Sequence, residues 1–108
     1  MDTSAPLSDS THRLISSLKI EGTPVIDNTG ESVGTVHSIM LDKQTGQAEQ
    51  VVIGTSWFLG ATSAVIVLDW NEMRYVPDRH GYMTEMSRKE LEQRPRMRLD
   101  EGDRPTPI

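Results

Sequence analysis

The chain of 108 residues has no cysteine. That excludes a disulfide framework, thiolate metal sites and a cysteine nucleophile. Aromatic residues are scarce, with one Phe, two Trp and two Tyr. No run approaches the roughly 18 apolar residues needed to span a membrane. A basic surplus is missing too: 11 Lys and Arg stand against 16 Asp and Glu, for a net charge of −5. Nucleic-acid binding draws on clustered cations that displace counterions, so the composition weighs against it. The opening MDTSAPLSDS lacks the basic and apolar regions of a secretory leader. The expectation is a cytoplasmic protein of bacterial type.

What is present suits one domain with one modest core. Mean hydropathy is −0.46 and 35% of residues are hydrophobic, a low share that fits polar tails on a compact centre. The acidic surplus sits at the ends. Residues 12–97 hold 11 acids and 9 bases, a net of −2. Residues 1–11 and 98–108 read as disordered tails, the second because Pro105, Pro107 and Gly102 crowd so short a span. The folded unit is then 12–97.

Within it, the most patterned stretch is Gly22 to Gly46. Two turn signals, Asp27-Asn28-Thr29-Gly30 and Asp42 to Gly46, bracket a long strand at Glu31–Asp42. Val33, Val36 and Ile39 are spaced by three, which a strict pleat cannot place on one face. A bulge restores the phase, and Gly34 is the expected place. His12 to Ile20 suits a short strand and turn or a brief helix, with a strand at 12–16 the favoured reading, and further strands are expected at Thr23–Ile26, Gln47–Gly54, Ser63–Asp69 and Tyr82–Met86. A short one follows a turn at Trp70. Pro24 lacks a ladder donor, so its strand should begin there or lie at an edge. Ser87 and Glu90 form the capping box of a short terminal helix, with Met86 and Leu91 as its hydrophobic staple. Pro95 ends it. The fold class is mostly β.

The order of these segments resembles the PRC-barrel domain, a family that includes the cytoplasmic domain of the photosynthetic reaction-centre H subunit. The C-terminal domain of ribosome maturation factors belongs to it as well. The resemblance rests on Gly30-Glu31 with Gly34, the Thr45-Gly46 turn, the Gly60 loop, Trp70 and the capped helix before Pro95. It spans about residues 12–97. Asp69 stands where the family usually has proline. It should face solvent or find a partner such as Arg74. The resemblance implies a small antiparallel β-barrel with a short C-terminal helix, and adaptor-like docking on proteins or ribosome-assembly intermediates. It brings no catalytic residues.

The residues themselves name no reaction. His12, His37 and His80 lack metal-ligand spacing. Ser38 beside His37 points to the opposite face of a strand, and no nucleophile elbow occurs. The glycines match no phosphate loop. No enzyme activity, cofactor or resident metal is expected; a small-ligand or metal carrier using His37 is a second alternative. The leading surface is the apolar loop Trp57-Phe58-Leu59, which holds two of the chain's three Trp and Phe residues. Val65 and Val67 would extend it. On the next strand they alternate with Ile66 and Leu68, so both strand faces are apolar. A small barrel offers no cover for its outer face. Such a patch rarely stays bare on a monomer, which points to a homodimer or an unidentified protein partner. The first alternative is an RNA or ribosome-assembly contact through Arg88, Lys89, Arg94 and Arg96. Arg88–Glu92 and Glu90–Arg94 are expected as i,i+4 pairs.

Overall fold

A computed structural model describes residues 13–55 and 64–108. The expected tail at 1–11 and the loop Trp57-Phe58-Leu59 lie outside the described residues.

Two Asp-headed turns set the β register. Asp27 Oδ1 accepts the Thr29 amide at 2.8 Å, the Thr29 hydroxyl at 2.6 Å and the Glu31 amide at 3.0 Å. Gly30 follows at φ 92°, a conformation that favours glycine. This turn joins β1 (Pro24–Ile26) to β2 (Ser32–Leu41). Asp42 Oδ1 likewise accepts the Gln44 and Thr45 amides, at 2.8 and 2.9 Å, and leads into β3 (Ala48–Gly54). The strand β4 (Val65–Asp69) pairs antiparallel with β3. A 3-10 turn at Trp70–Glu72 then gives β5 (Met73–Val76), and Pro77–Arg79 turns the chain into β6 (Gly81–Thr84). β1 lies between β2 and β6, so Pro24 opens an interior strand.

The phase of β2 is restored at two places, neither of them Gly34. Val25 faces Gly34 and Ile26 faces Ser32, which leaves Val33 as the extra residue against β1. Val36 faces Ile53 and Ser38 faces Val52, which leaves His37 extra against β3. Each spacing of three in the apolar pattern therefore has its own bulge, and Val33 and Val36 are both buried. Gly34 is glycine for another reason. A Cβ there would run into the carbonyl oxygen of Gly54.

Two segments depart from expectation. The strand expected at 12–16 does not form. Ser16 instead caps a single helical turn, α1 (Ser17–Ile20), its hydroxyl accepting the Leu18 amide at 3.3 Å. Thr23 Oγ1 donates to the Ile20 carbonyl at 2.6 Å, which closes the turn and sends Ile20 alone into the core. The tail expected from 98 is a hairpin, β7 (Met97–Leu99) and β8 (Pro105–Pro107). Asp100 organises it as Asp27 and Asp42 do theirs, accepting the Gly102 and Arg104 amides at 2.8 and 2.9 Å. Both prolines are tolerated because β8 is an edge strand. Their alternation with Thr106 puts both donorless nitrogens on the side away from β7.

The eight described strands form one sheet in the order β5-β6-β1-β2-β3-β4-β7-β8. The ladder is open, with β5 and β8 as its edges, so the expected closed barrel is realised as a curled sheet. The curl is strong. Trp70, at the end of β4, contacts Tyr82 of β6 with ring centroids 5.6 Å apart. Those strands are four positions apart in the sheet, roughly 19 Å if it were flat. Inside the curl lie Val36, Val51, Ile53, Ile66 and Leu68, with Leu91 closing one end.

Leu91 arrives on α2 (Arg88–Glu92). The capping box is formed: Ser87 Oγ accepts the Glu90 amide at 3.1 Å, and Glu90 Oε1 accepts the Ser87 amide at 2.9 Å. Met86 packs on the same core, as the staple requires. Ser87→Ala is expected to lower stability by about 1 kcal/mol, read as a shifted denaturation midpoint with an unchanged slope.

Candidate interaction surface

The β4 surface expected to meet a partner is partly covered from within the chain. β7 continues the sheet beside β4, with Val65 paired antiparallel to Met97, and Val65 is 4% exposed. Val52, on the same sheet face, is fully buried. Val67 is the half-exposed member of the pair.

The basic helix is also altered. Arg88 pairs with Glu92 at 3.4 Å as expected. Arg94 does not pair with Glu90, whose carboxylate is committed to the capping box. It reaches Glu72 instead, at 2.7 Å, and ties α2 to the turn after β4. Two of the four candidate RNA-contacting cations, Arg88 and Arg94, thus face carboxylates of their own chain, beside Lys89 and Arg96. Asp69 is exposed, while Arg74 pairs with Glu85 at 3.4 Å. His37 is exposed on its bulge, its Nδ1 3.3 Å from Ser38 Oγ. His80 holds a left-handed turn position at φ 50°. Among the described residues, no group of three His, Asp or Glu side chains could hold a metal ion. No described helix is long and apolar enough to cross a membrane.

The structure assembles a feature that the linear pattern did not single out. Tyr75 and Tyr82 face each other across the β5–β6 ladder, with ring centroids 5.5 Å apart, and Trp70 meets Tyr82 in a tilted contact. Three of the chain's five aromatics therefore meet in one place. With Met73 and Ile15 they line a cavity of about 310 Å³, and Arg13 and Arg74 stand at its walls. Burial, and then the neighbouring Tyr75, pushes the Tyr82 hydroxyl above its ordinary value. It is therefore a neutral donor at physiological pH.

Beside the cavity runs an apolar ridge. Ile15, one of its walls, is 45% exposed, while Leu14 and Leu18 are 73% and 76% exposed. Exposed leucines are ordinary singly. These lie one and three residues from a cavity wall. A second opening of about 730 Å³ lies between β2 and the β7–β8 hairpin, with Ser32, His37, Thr55 and Arg98 among its walls.

The family model of the PRC-barrel domain matches residues 14–91. The chain belongs to the PRC-barrel domain family. Compared with curated proteins, the sequence matches none. The family span begins at Leu14 and closes at Leu91, so it takes in the ridge, the aromatic cavity and the core-closing helix residue. The β7–β8 hairpin that pairs with β4 at Val65 lies beyond the matched PRC-barrel span.

Proposed function

We propose that this PRC-barrel chain is a non-catalytic protein–protein interaction module, a cytoplasmic adaptor that self-associates and docks on another protein. One observation carries the reading: Leu14, Ile15 and Leu18 stand exposed beside a cavity built from Trp70, Tyr75 and Tyr82. Aromatic-lined pockets bordered by apolar side chains are where binding energy concentrates in protein interfaces. Exposed apolar patches rimmed by charge mark contact surfaces. The half-exposed Val67 is a further apolar position for the partner, and the apolar sequence Trp57-Phe58-Leu59 is the other candidate.

The test is quantitative affinity capture from the native cell with three forms of the protein: wild type, Leu14→Ser/Leu18→Ser and Trp57→Ala/Phe58→Ala. A stoichiometric protein partner whose recovery falls in at least one variant is the expected result. Equal recovery by all three forms would place docking elsewhere and sink the reading.

A further inference from the structure

We propose that the opening between β2 and the β7–β8 hairpin is a binding site for a small organic carboxylate with an apolar body, its oxygens held by Arg98 and the hydroxyls around it. The proposal goes beyond the interaction-module reading and shares no residue with the surface on which that reading rests.

The walls have one chemistry. Ser32, Thr35, His37, Thr55 and Arg98 are the polar side chains that line the opening, and every one can donate a hydrogen bond. No Asp or Glu is among the described lining residues, although the chain holds 16 of them against 11 Lys and Arg. A wall of donors without a carboxylate suits an anion and turns away a cation.

The donors are also uncommitted. Arg98 forms no ion pair among the described residues, whereas Arg74, Arg88, Arg94 and Arg104 each face a carboxylate of their own chain. Asp100 and Glu101 border a separate opening that Arg98 also lines, and neither lies within ion-pair distance of it. Asp100 is engaged by its own turn and by Arg104 at 3.0 Å. Thr55 is the more telling case. Its Oγ1 is buried and has no hydrogen-bond partner, an unfavourable state for a hydroxyl. Thr55 lines the opening, and an acceptor bound there, met by a change of χ1 rotamer, gives the hydroxyl the partner it lacks.

Size and charge choose among anions. The volume is about 730 Å³, within the range of small-molecule sites. Val33, Ala64, Val65 and Leu99 supply apolar wall for the body of the ligand, and Gly34 and Gly54 leave room by having no side chain. Arg98 is the one permanent cation, and its planar fork matches the two oxygens of a carboxylate. A phosphate dianion or a nucleic-acid backbone would call for more fixed cations than one.

Titration of isotopically labelled protein with hexanoate, followed by amide chemical shifts, tests the site. Hexanoate carries one carboxylate on a short apolar chain. Saturable shifts at Gly34, Thr35, Gly54 and Thr55 are expected, with a Kd on the order of 1 mM for so small a ligand. Hexanamide, the same shape without the charge, should bind about 10-fold more weakly. Arg98 is exposed, so Arg98→Gln keeps the fold. It should weaken hexanoate about 10-fold and leave hexanamide unchanged, a split that a merely structural effect would not produce. Thr55→Val keeps the side-chain shape and is expected to weaken hexanoate without lowering the denaturation midpoint, because no native hydrogen bond is lost. No saturable shift at these amides, equal binding of hexanamide, or an Arg98→Gln variant that holds hexanoate as tightly would each overturn the proposal. Tighter binding of inorganic phosphate at the same amides would overturn it too, by assigning the site to a phosphoryl group. None of these outcomes touches the interaction-module reading, which is tested through Leu14, Leu18, Trp57 and Phe58.

Discussion

Gly34→Ala is expected to destabilise the domain by about 3 kcal/mol, while Gly54→Ala, beside it in the sheet, is expected to be neutral or slightly stabilising. The two glycines are adjacent across the β2–β3 ladder, where Thr35 pairs with Gly54. Their surroundings are opposite. A Cβ at Gly34 would overlap the carbonyl oxygen of Gly54 and crowd Ile53 Cγ2 at 3.1 Å and Thr55 Cγ2 at 3.2 Å. The obstructing atom is backbone and cannot rotate away. Relief requires β2 and β3 to separate, and that ladder carries Val36 and Ile53 on the core side. At Gly54 a Cβ meets nothing within 4 Å. Alanine there removes glycine's unfolded-state freedom, worth about 0.5–1 kcal/mol. Chemical denaturation of both variants checks the pair. Equal effects would mean that the close approach of β2 to Gly54 is not what selects glycine at position 34. Gly81 follows the same logic at the other end of β1, where a Cβ would lie 2.6 Å from the Pro24 carbonyl oxygen.

The frame of the domain was legible where local chemistry decides the outcome. Asp27 to Gly30 and Asp42 to Gly46 are turns because a carboxylate accepts amides two to four residues on and glycine takes the left-handed position. Ser87 and Glu90, three positions apart, each accept the other's amide. None of this needs the rest of the chain. The bulge position was less legible, because the apolar spacing says that the phase shifts and not where. Two shifts of one residue, at Val33 and His37, produce the same pattern as one shift at Gly34 followed by a second elsewhere. Asp100 to Arg104 repeats the Asp-headed turn, but its flanking prolines read as strand breakers. They are compatible with a strand whose outer side pairs with nothing.

The candidate site was the harder part, and the reason is distance along the chain. Ile15, Trp70, Tyr75 and Tyr82 share a cavity only because the sheet curls until β4 and β6 meet across its interior. Part of that was accessible. The turn Pro77 to His80 fixes a hairpin in which Val76 faces Gly81 and Tyr75 faces Tyr82, so the tyrosine pair follows from counting outward from the turn. The approach of Trp70 and Ile15 depends on curvature and on the helical turn at Ser17–Ile20, which no spacing in the sequence announces. His12 to Ile20 suits either a short strand at 12–16 or a brief helix, and the β-rich sequence that follows favours the strand, whereas the chain takes the helical turn. Of its apolar residues only Ile20 is used by the core, and the others form the ridge.

Asp27→Ala is expected to lower stability by about 3 kcal/mol at neutral pH, since three hydrogen bonds to one oxygen of a buried, charged side chain are lost. Asp27 is 3% exposed, and the Thr29 and Glu31 amides would lose the acceptor that holds the turn. The turn also fixes β1 against β2, and Arg79 donates to the Gly30 carbonyl at 2.9 Å, so loosening it spreads to the β5–β6 hairpin. The more discriminating variant is Asp27→Asn, which keeps the shape and removes the charge. Burial acts to raise the Asp27 carboxyl, but the hydrogen bonds from Thr29, Glu31 and Gly30 together outweigh it and hold it below its ordinary value. The folded state therefore binds this proton less tightly than the unfolded chain does. The stabilisation is complete above the unfolded value of about 4 and drains away as pH falls through the lower folded value. Wild type and Asp27→Asn should differ most near neutrality and converge in acid. Asp42 and Asp100, lowered mainly by the Thr45 and Arg104 amides respectively, remain in both proteins and cancel in the difference. Urea melts from neutral pH down to about pH 3 measure it. A gap between the two proteins that stays constant across that range would show that the Asp27 charge contributes nothing and that the turn is held by shape alone.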